Sequence, residues 1–254
     1  MRGSIAAVIL VRTYQFILTG SDSLLKITYF GKTSFALEFN ETIVLLNPGT
    51  WDGEKIVPDD FKARVVISTN QADDAVGNAA TIAVNSKAWF LGNKQTGEKV
   101  SDQGVKPWLL HELKPEVPYE IPDVKFIPYA LSRIDQESGE RMENLGLYIE
   151  IGNMKVGYLG DTTIRGPFEQ LDMDVLITPI GGDGVFPVKD AVSLCIDAKP
   201  RVGIPMRWSS DEDTKKFSKY IQQFGQGIIP VVMEPNQVLQ LSWAAGNEFR
   251  YELN

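Results

Sequence analysis

Short apolar runs with the length of β-strands recur in two series along the 254-residue chain. The first series lies between Leu24 and Gly92, and the second lies between Val124 and Ile180. Gly, Asn, Asp and Pro separate the runs, as is typical of strands joined by turns and short loops. Two strand series with helical segments between and after them predict two β-sheets packed face to face with helices outside, a fold of the α/β (α+β) class.

Three segments have the pattern of helices. Residues 72–84 carry acids in their first turn, where the helix dipole favours negative charge. Residues 187–200 open and close on proline and place apolar residues at helical spacing. Residues 211–224 begin with acids and stop before Gly225, which is a common helix terminator. No low-complexity linker divides the chain, so we expect one domain over residues 24–254 and an N-terminal extension over residues 1–23.

Composition excludes several classes of function. The chain has 25 Lys and Arg against 33 Asp and Glu, which gives a net charge of −8, so we do not expect a nucleic-acid partner. Its one cysteine, Cys195, cannot form an internal disulfide, which favours a reducing compartment and a cytoplasmic location. The apolar run near the start is too short to cross a bilayer, so we expect no membrane association.

Several short motifs occur in the order found in one known family. They are "ITYFGKTSFALEF", "IVLLNPG", "TNQADDAVG", "IPYALSR", "VGYLGDT", "DVLITPIGGDGVF" and "VGIPMRW". Together they resemble the metallo-β-lactamase superfamily, and within it the small metal-dependent hydrolases similar to ascorbate-6-phosphate lactonase. The resemblance covers about residues 25–243. It implies a four-layer αββα sandwich with two mixed sheets and a metal site at the ends of the strands.

The metal-binding residues of that family are largely replaced here. The resemblance assigns five histidine positions to Asn70, Ala72, Ala75, Leu131 and Arg207, and two aspartate positions to Asp74 and Asp161. Lys32 stands where a further histidine is frequent, and Asn47 stands in place of another aspartate. The single histidine of the chain, His111, lies outside every motif. We therefore expect no zinc, because a zinc hydrolase needs several imidazole or thiolate ligands and an open position for water.

The remaining oxygen ligands favour another kind of site. Asn70, Asp73, Asp74 and Asp161 would suit Mg²⁺, Mn²⁺ or Ca²⁺, which stay open as alternatives. Arg207 argues against any cation, because its guanidinium stays protonated. The sequence thus predicts no cofactor and no metal ligands. Instead, we expect Arg207, helped by Lys32, to neutralise Asp74 and Asp161 through a charge-assisted pair.

These observations predict a catalytically degenerate member of the fold that binds a small anionic ligand or a protein partner, or serves as a structural subunit, and forms a homo-oligomer. Two alternatives remain: a hydrolase with a non-zinc metal on the aspartates, and a metal-independent hydrolase acting on an anionic substrate. The positions assigned to catalysis are Asp74, Asp161 and Arg207. The positions assigned to ligand binding are Lys32, Asn70, Asp73, Leu131, Ser132 and Asp183.

Overall fold

The computed structural model describes residues 24–244 and 248–254. The strands in these ranges are β1 (Leu24–Gly31), β2 (Ser34–Phe39), β3 (Thr42–Leu46), β4 (Thr50–Trp51), β5 (Glu54–Lys55), β6 (Val65–Ile67), β7 (Trp89–Gly92), β8 (Leu110–Glu112), β9 (Tyr119–Ile121), β10 (Val124–Ile134), β11 (Arg141–Ile151), β12 (Met154–Tyr158), β13 (Val175–Pro179), β14 (Val202–Met206), β15 (Ile229–Pro230), β16 (Val238–Ala244) and β17 (Glu248–Leu253). The helices are α1 (Asp73–Val76), α2 (Ala79–Ser86), α3 (Lys94–Asp102), α4 (Val188–Ala198) and α5 (Asp211–Phe224), with 3₁₀ turns at Pro107–Leu109 and Phe168–Gln170.

Two mixed sheets form the centre of the fold. The first sheet has the strand order β17-β16-β1-β2-β3-β6-β7-β8, and the second has the order β15-β14-β13-β12-β11-β10-β9. In each sheet an antiparallel part continues into a parallel part, which runs from β3 to β8 in the first and from β12 to β15 in the second. The β4–β5 hairpin stands apart from both sheets. This arrangement confirms the predicted fold class.

Apolar side chains from both sheets meet in a buried layer between them. Leu25, Ile27 and Leu37 of the first sheet and Ile149 and Val156 of the second belong to this layer and are fully buried. Burial of each such side chain stabilises the fold by about 1.5 to 3 kcal/mol. The layer fixes the distance and orientation of the two sheets, and thereby the place where their strand ends meet.

Helices cover the outer face of each sheet. Apolar residues of α2 and the segment after α3 pack on the first sheet, while α4 and α5 pack on the second. Cys195 of α4 is fully buried in this outer layer, which raises the pKa of its thiol to about 12. The four layers are therefore helix, sheet, sheet and helix, as expected.

The structure differs from the sequence prediction in several elements. The helix predicted over residues 72–84 is two helices, α1 and α2, because the chain turns sharply at Gly77, whose φ is 37°. The apolar run at residues 227–233 forms a strand only over Ile229–Pro230, since proline offers no N–H for a longer ladder. Helix α3 and strands β8, β9 and β17 were not predicted, because α3 is polar and contains Gly97, and β8 and β9 are only three residues long.

Some expectations lie beyond this description. The N-terminal extension, residues 1–23, falls outside the described residues, and a single domain over residues 24–254 stays a prediction. Among the residues that are described, the helices are all too short or too polar to span a bilayer.

Candidate functional site

Two aspartates and two arginines meet at one edge of the sandwich. Arg133 Nη1 donates to both carboxylate oxygens of Asp74, each at 2.8 Å, and to Asp161 Oδ2 at 2.7 Å. Arg207 Nη1 donates to Asp74 Oδ2 at 2.7 Å and to Asp161 Oδ2 at 2.9 Å. We call Asp74, Arg133, Asp161 and Arg207 the charged quartet. Its formal charges cancel.

The topology explains why these four residues meet. Asp74 lies in α1, shortly after β6, and Arg133 lies near the end of β10. Asp161 follows β12, and Arg207 directly follows β14. All four residues thus lie at or beyond the carboxyl ends of strands, which is where α/β folds commonly place functional side chains.

Burial strengthens the electrostatic interactions among the four charged groups of the quartet. The side chain of Asp161 is fully buried, those of Arg133 and Arg207 are 5% and 6% exposed, and that of Asp74 is 15% exposed. Burial, reinforced by the nearby Asp74 charge and opposed by both arginines, raises the pKa of Asp161 to about 6. Burial also acts to raise the pKa of Asp74, but Arg133 and Arg207 outweigh it and the pKa is lowered. At neutral pH both aspartates are ionised, and Asp161 is the one that takes up a proton more easily.

One oxygen of Asp161 is left over. Its Oδ2 accepts from both guanidiniums, whereas its buried Oδ1 has no hydrogen-bond partner among the described residues. The Nε of Arg133 and the hydroxyl of Ser132 are also buried and have no hydrogen-bond partner among the described residues. An unpaired buried polar atom typically costs about 1 to 3 kcal/mol. Asp161 Oδ1 is therefore an acceptor suited to a water molecule or a substrate hydroxyl.

Close backbone packing holds Asp74 in place. A Cβ atom at Gly49 would lie 2.0 Å from the carbonyl oxygen of Asp74, and a Cβ atom at Gly77 would lie 2.3 Å from the carbonyl carbon of Gly49. Only glycine fits this approach between α1 and the loop after β3.

We expect Gly49→Ala to displace Asp74 and to lower the free energy of unfolding by about 1 to 3 kcal/mol, as for an overpacked core. Gly97→Ala is the control, because nothing lies within 4 Å of the added methyl group in α3. That variant should be neutral or stabilising. Urea denaturation measures both, and equal stabilities would contradict this role of Gly49.

Amide side chains tie together the strand ends beneath the quartet. Asn47 accepts from the backbone N–H of Thr69 at 2.8 Å and donates to the hydroxyl of Thr69 at 3.0 Å. Asn70 donates to Asn144 at 3.2 Å and accepts from the N–H of Ala72 at 3.0 Å. Asn47 and Asn70, which stand in place of an aspartate and a histidine of the resembling family, thus link the strand ends here through hydrogen bonds.

The other residues assigned from the sequence are distributed around the quartet. Asp73 points to the surface, where it pairs with Lys99 at 2.7 Å and is 79% exposed. Leu131 is buried in the apolar layer on the helix side of the second sheet. Ser132 accepts from the N–H of Thr163 through its carbonyl oxygen. Asp183 is exposed in a turn beside the site, with its carbonyl accepting from Gln136.

A cleft in two lobes opens beside the quartet. The larger lobe has a volume of about 500 Å³ and the smaller about 210 Å³. Both are lined by Lys32, Trp51, Arg207 and Trp208. The smaller lobe also contains Asp183. Of the residues assigned to the site, Lys32, Asp183 and Arg207 therefore line this cleft. The other assigned residues do not belong to its lining: Asn70, Asp73, Asp74, Leu131, Ser132 and Asp161.

The expected charge-assisted pairing of Arg207 with Asp74 and Asp161 is confirmed. The second cation that neutralises the two aspartates is Arg133 and not, as was expected, Lys32. Lys32 lies instead over the Trp51 ring, at 4.3 Å from its centre. Arg133 was missed, although it directly follows Ser132 in a matched motif. An arginine next to a position assigned to the site was the available signal.

The quartet does not fit a divalent metal ion as it stands. Only two carboxylates meet there, and both already accept from guanidiniums that stay protonated. Elsewhere in residues 24–244 and 248–254, no three His, Cys, Asp or Glu side chains are grouped so that they could hold an ion. We therefore derive no chemical step through a metal.

The fold and the position of the site define the class of protein: an αββα sandwich with a polar site where the strand ends of both sheets meet. The family model described as "Beta-lactamase superfamily domain" matches residues 26–207, and the chain belongs to that family.

Relatives and solved structures agree with this assignment. The chain is 28% identical over 204 residues to a UPF0173 protein of Pyrococcus furiosus, which covers 78% of this chain and 91% of that protein. It is 27% identical over 194 residues to a UPF0173 metal-dependent hydrolase of Carboxydothermus hydrogenoformans, covering 73% and 85%. Igni18, described as a metallo hydrolase from Ignicoccus hospitalis, superposes with a TM-score of 0.72 at 18% identity, covering 87% of this chain and all of that one.

These comparisons correct two expectations. The interpretation as a catalytically degenerate binding or structural protein is wrong, because relatives that match most of their length are named metal-dependent hydrolases. The names favour the hydrolase alternative instead. The expectation that no metal cofactor is involved is contradicted by the same names, since they imply a metal in the relatives. Absence of the histidines is therefore not sufficient to infer loss of function in this chain.

Proposed function

We propose that this protein is a hydrolase acting on an anionic ester or lactone substrate at the charged quartet. The observation that carries the proposal is the fully buried Asp161, whose Oδ2 is held by two guanidiniums while its Oδ1 has no partner among the described residues. A positioned carboxylate with a free oxygen can accept a proton from a water molecule. The names of the relatives support the reaction class.

The residues of the quartet have distinct roles in the proposed hydrolysis. Asp161 Oδ1 accepts a proton from water, and the hydroxide oxygen forms a bond to the acyl carbon of the substrate. Arg207 uses Nη1 for both aspartates, so its Nη2 and Nε have no acceptor among the described residues and are available to an oxyanion. When the bond to the leaving oxygen breaks, the proton on Asp161 returns to that oxygen. Both arginines keep Asp161 in place throughout, because their bonds to Oδ2 do not use Oδ1.

Hydrolysis of 4-nitrophenyl esters that carry a carboxylate elsewhere in the molecule tests this proposal. We expect the wild-type protein to release nitrophenolate faster from these anionic esters than from a matched neutral ester, because Lys32 and Arg207 line the cleft. No release above the uncatalysed rate for any anionic ester, with or without added Mn²⁺, would contradict the proposal.

A second candidate is a hydrolase that takes up a divalent ion on the two aspartates. The relatives' names favour it, whereas the guanidiniums bound to Asp74 and Asp161 oppose it. Parallel assays in a chelator and in added Mn²⁺ or Mg²⁺ separate the two candidates. Turnover that requires the added ion would assign the second, and turnover that persists in the chelator would assign the first.

The rate should depend on pH through Asp161. As a base this carboxyl works only when ionised, and its pKa is raised to about 6. We expect kcat/KM to be nearly constant above pH 7 and to fall as pH decreases through about 6, by close to tenfold per pH unit well below it. Stopped assays in buffers of constant ionic strength measure the profile. A flat profile between pH 5 and 7 would show that Asp161 is not the titrating base.

A further inference from the structure

Two cations flank a tryptophan in the cleft beside the quartet. Lys32 Nζ lies 4.3 Å from the centre of the Trp51 ring, and Arg207 Cζ lies 5.0 Å from it. Cations at these distances are attracted to the electron-rich face of the ring. Lys32 and Arg207 are also connected through the backbone, since the N–H of Arg207 donates to the carbonyl of Lys32 at 3.0 Å. The spacing of the two positive groups is therefore fixed by the fold.

Both residues adopt a backbone conformation that side chains other than glycine rarely take. The φ angle is 54° at Lys32 and 49° at Arg207. Such residues are enriched where a fold directs side chains into a functional site.

The ammonium group of Lys32 is unpaired in the described part of the chain. Lys32 forms no ion pair with any described residue, in contrast to Arg133 and Arg207, which both pair with Asp74 and Asp161. Three acids, Asp52, Glu54 and Glu234, line the same lobe without pairing with it. Together with the one of Arg207 Nη2 and Nε that the oxyanion does not use, Lys32 provides a site for a negatively charged oxygen group.

Part of the wall of the larger lobe is apolar and aromatic. Phe30, Ile56, Trp208 and Pro235 line it next to Trp51. A volume of about 500 Å³ accommodates a drug-sized organic molecule rather than an inorganic ion alone. A flat apolar group would pack against this wall while its anionic group reaches Lys32.

We propose that Lys32, Trp51 and Arg207 form a specificity site for a carboxylate or phosphate attached to a planar apolar group. This inference rests on the proposed function in one respect, namely that the bound anion is part of the substrate or product of the quartet. Lys32 and Trp51 select the ligand and do not take part in bond breaking.

Binding of naphthalene derivatives to the wild-type protein, measured by quenching of tryptophan fluorescence and by calorimetry, tests the proposal without turnover. The probes are 1-naphthoate, 1-naphthyl phosphate and the neutral 1-naphthylmethanol. We expect both anions to bind at least about tenfold more tightly than the alcohol, as is typical when an ionic hydrogen bond is made at a partly desolvated site. The tighter of the two anions identifies the oxygen group.

Substitutions identify the residues that bind the three probes. Lys32→Met should weaken the anions about tenfold and leave the alcohol unchanged, whereas Trp51→Leu should weaken all three probes. The matched control is Lys87→Met: Lys87 is likewise a lysine with a positive φ, of 53°, but it is exposed at the end of α2. This variant should bind as the wild type does. Equal affinity for anion and alcohol, or an unchanged anion affinity in Lys32→Met, would overturn the proposal.

The two proposals can fail separately. Lys32-dependent binding of the anions without hydrolysis of any ester would support the specificity site and contradict the hydrolase. Hydrolysis that does not distinguish anionic from neutral esters, and that Lys32→Met leaves unchanged, would support the hydrolase and overturn the specificity site.

Discussion

Arg133→Met should lower the free energy of unfolding by about 3 to 5 kcal/mol, the usual cost of leaving a buried charge without its partner. Arg133 provides two of the three hydrogen bonds to Asp74 and one of the two to Asp161, and methionine keeps part of its aliphatic chain without its charge. Asp161 is fully buried, and in the variant its Oδ2 would keep only the hydrogen bond from Arg207. Urea denaturation of the wild type and the variant measures the difference.

A second substitution separates charge from packing. Asp161→Asn in the Arg133→Met background removes the unpaired charge, so the double variant should be more stable than the sum of the single losses indicates. Arg165→Met is the exposed control: Arg165 pairs with Asp197 and Glu169 on the surface, where such pairs contribute about 0 to 1 kcal/mol. Equal losses in Arg133→Met and Arg165→Met would contradict a buried, energetically important quartet.

Asp161→Asn alone should reduce kcat/KM for an anionic ester by about 10²- to 10⁴-fold, the range for loss of a general base. Asparagine keeps the shape of the side chain and the acceptor for Arg133 and Arg207, but it cannot take a proton from water at neutral pH. The ester assay measures the loss, and circular dichroism checks that the variant is folded. The residual rate should also lose its dependence on pH near 6.

The matched control for this variant is Asp73→Asn. Asp73 precedes Asp74 and was assigned to the site from the sequence, but its carboxylate is on the surface with Lys99. We expect the ester rate of Asp73→Asn to stay within about twofold of the wild type, because surface charges contribute little at this distance. If the two variants lost equal activity, the effect would not be specific to the quartet.

Most of the fold could be predicted from the sequence because its signals are local. Helix α5 occupies residues 211–224 as predicted, since acids mark its first turn and Gly225 its end. The helix predicted over residues 72–84 was wrong in its middle, because the turn at Gly77 results from contact with Gly49, a residue distant in sequence. Periodicity carries no information about such a contact.

The site was only partly predictable for the same reason. Asp74, Asp161 and Arg207 could be assigned because each lies in a motif of the resembling family. Arg133 was missed, since the resemblance assigned no function to its position. Its place next to Ser132 was the available signal, and the three-dimensional structure brings it to Asp74 and Asp161. The function was harder to predict from the sequence than the site. The missing histidines were interpreted as lost activity, whereas the relatives are named hydrolases.

A crystal structure of the wild-type protein with a bound anionic product, such as 1-naphthoate, tests the central claim most directly. We expect Arg133 and Arg207 to remain hydrogen-bonded to Asp74 and Asp161, with a water molecule or a product oxygen bonded to Asp161 Oδ1 and the anion near Lys32. Guanidiniums turned away from the two carboxylates, or an Asp161 Oδ1 that the ligand and water both leave unbonded, would contradict the charged quartet as the site of hydrolysis.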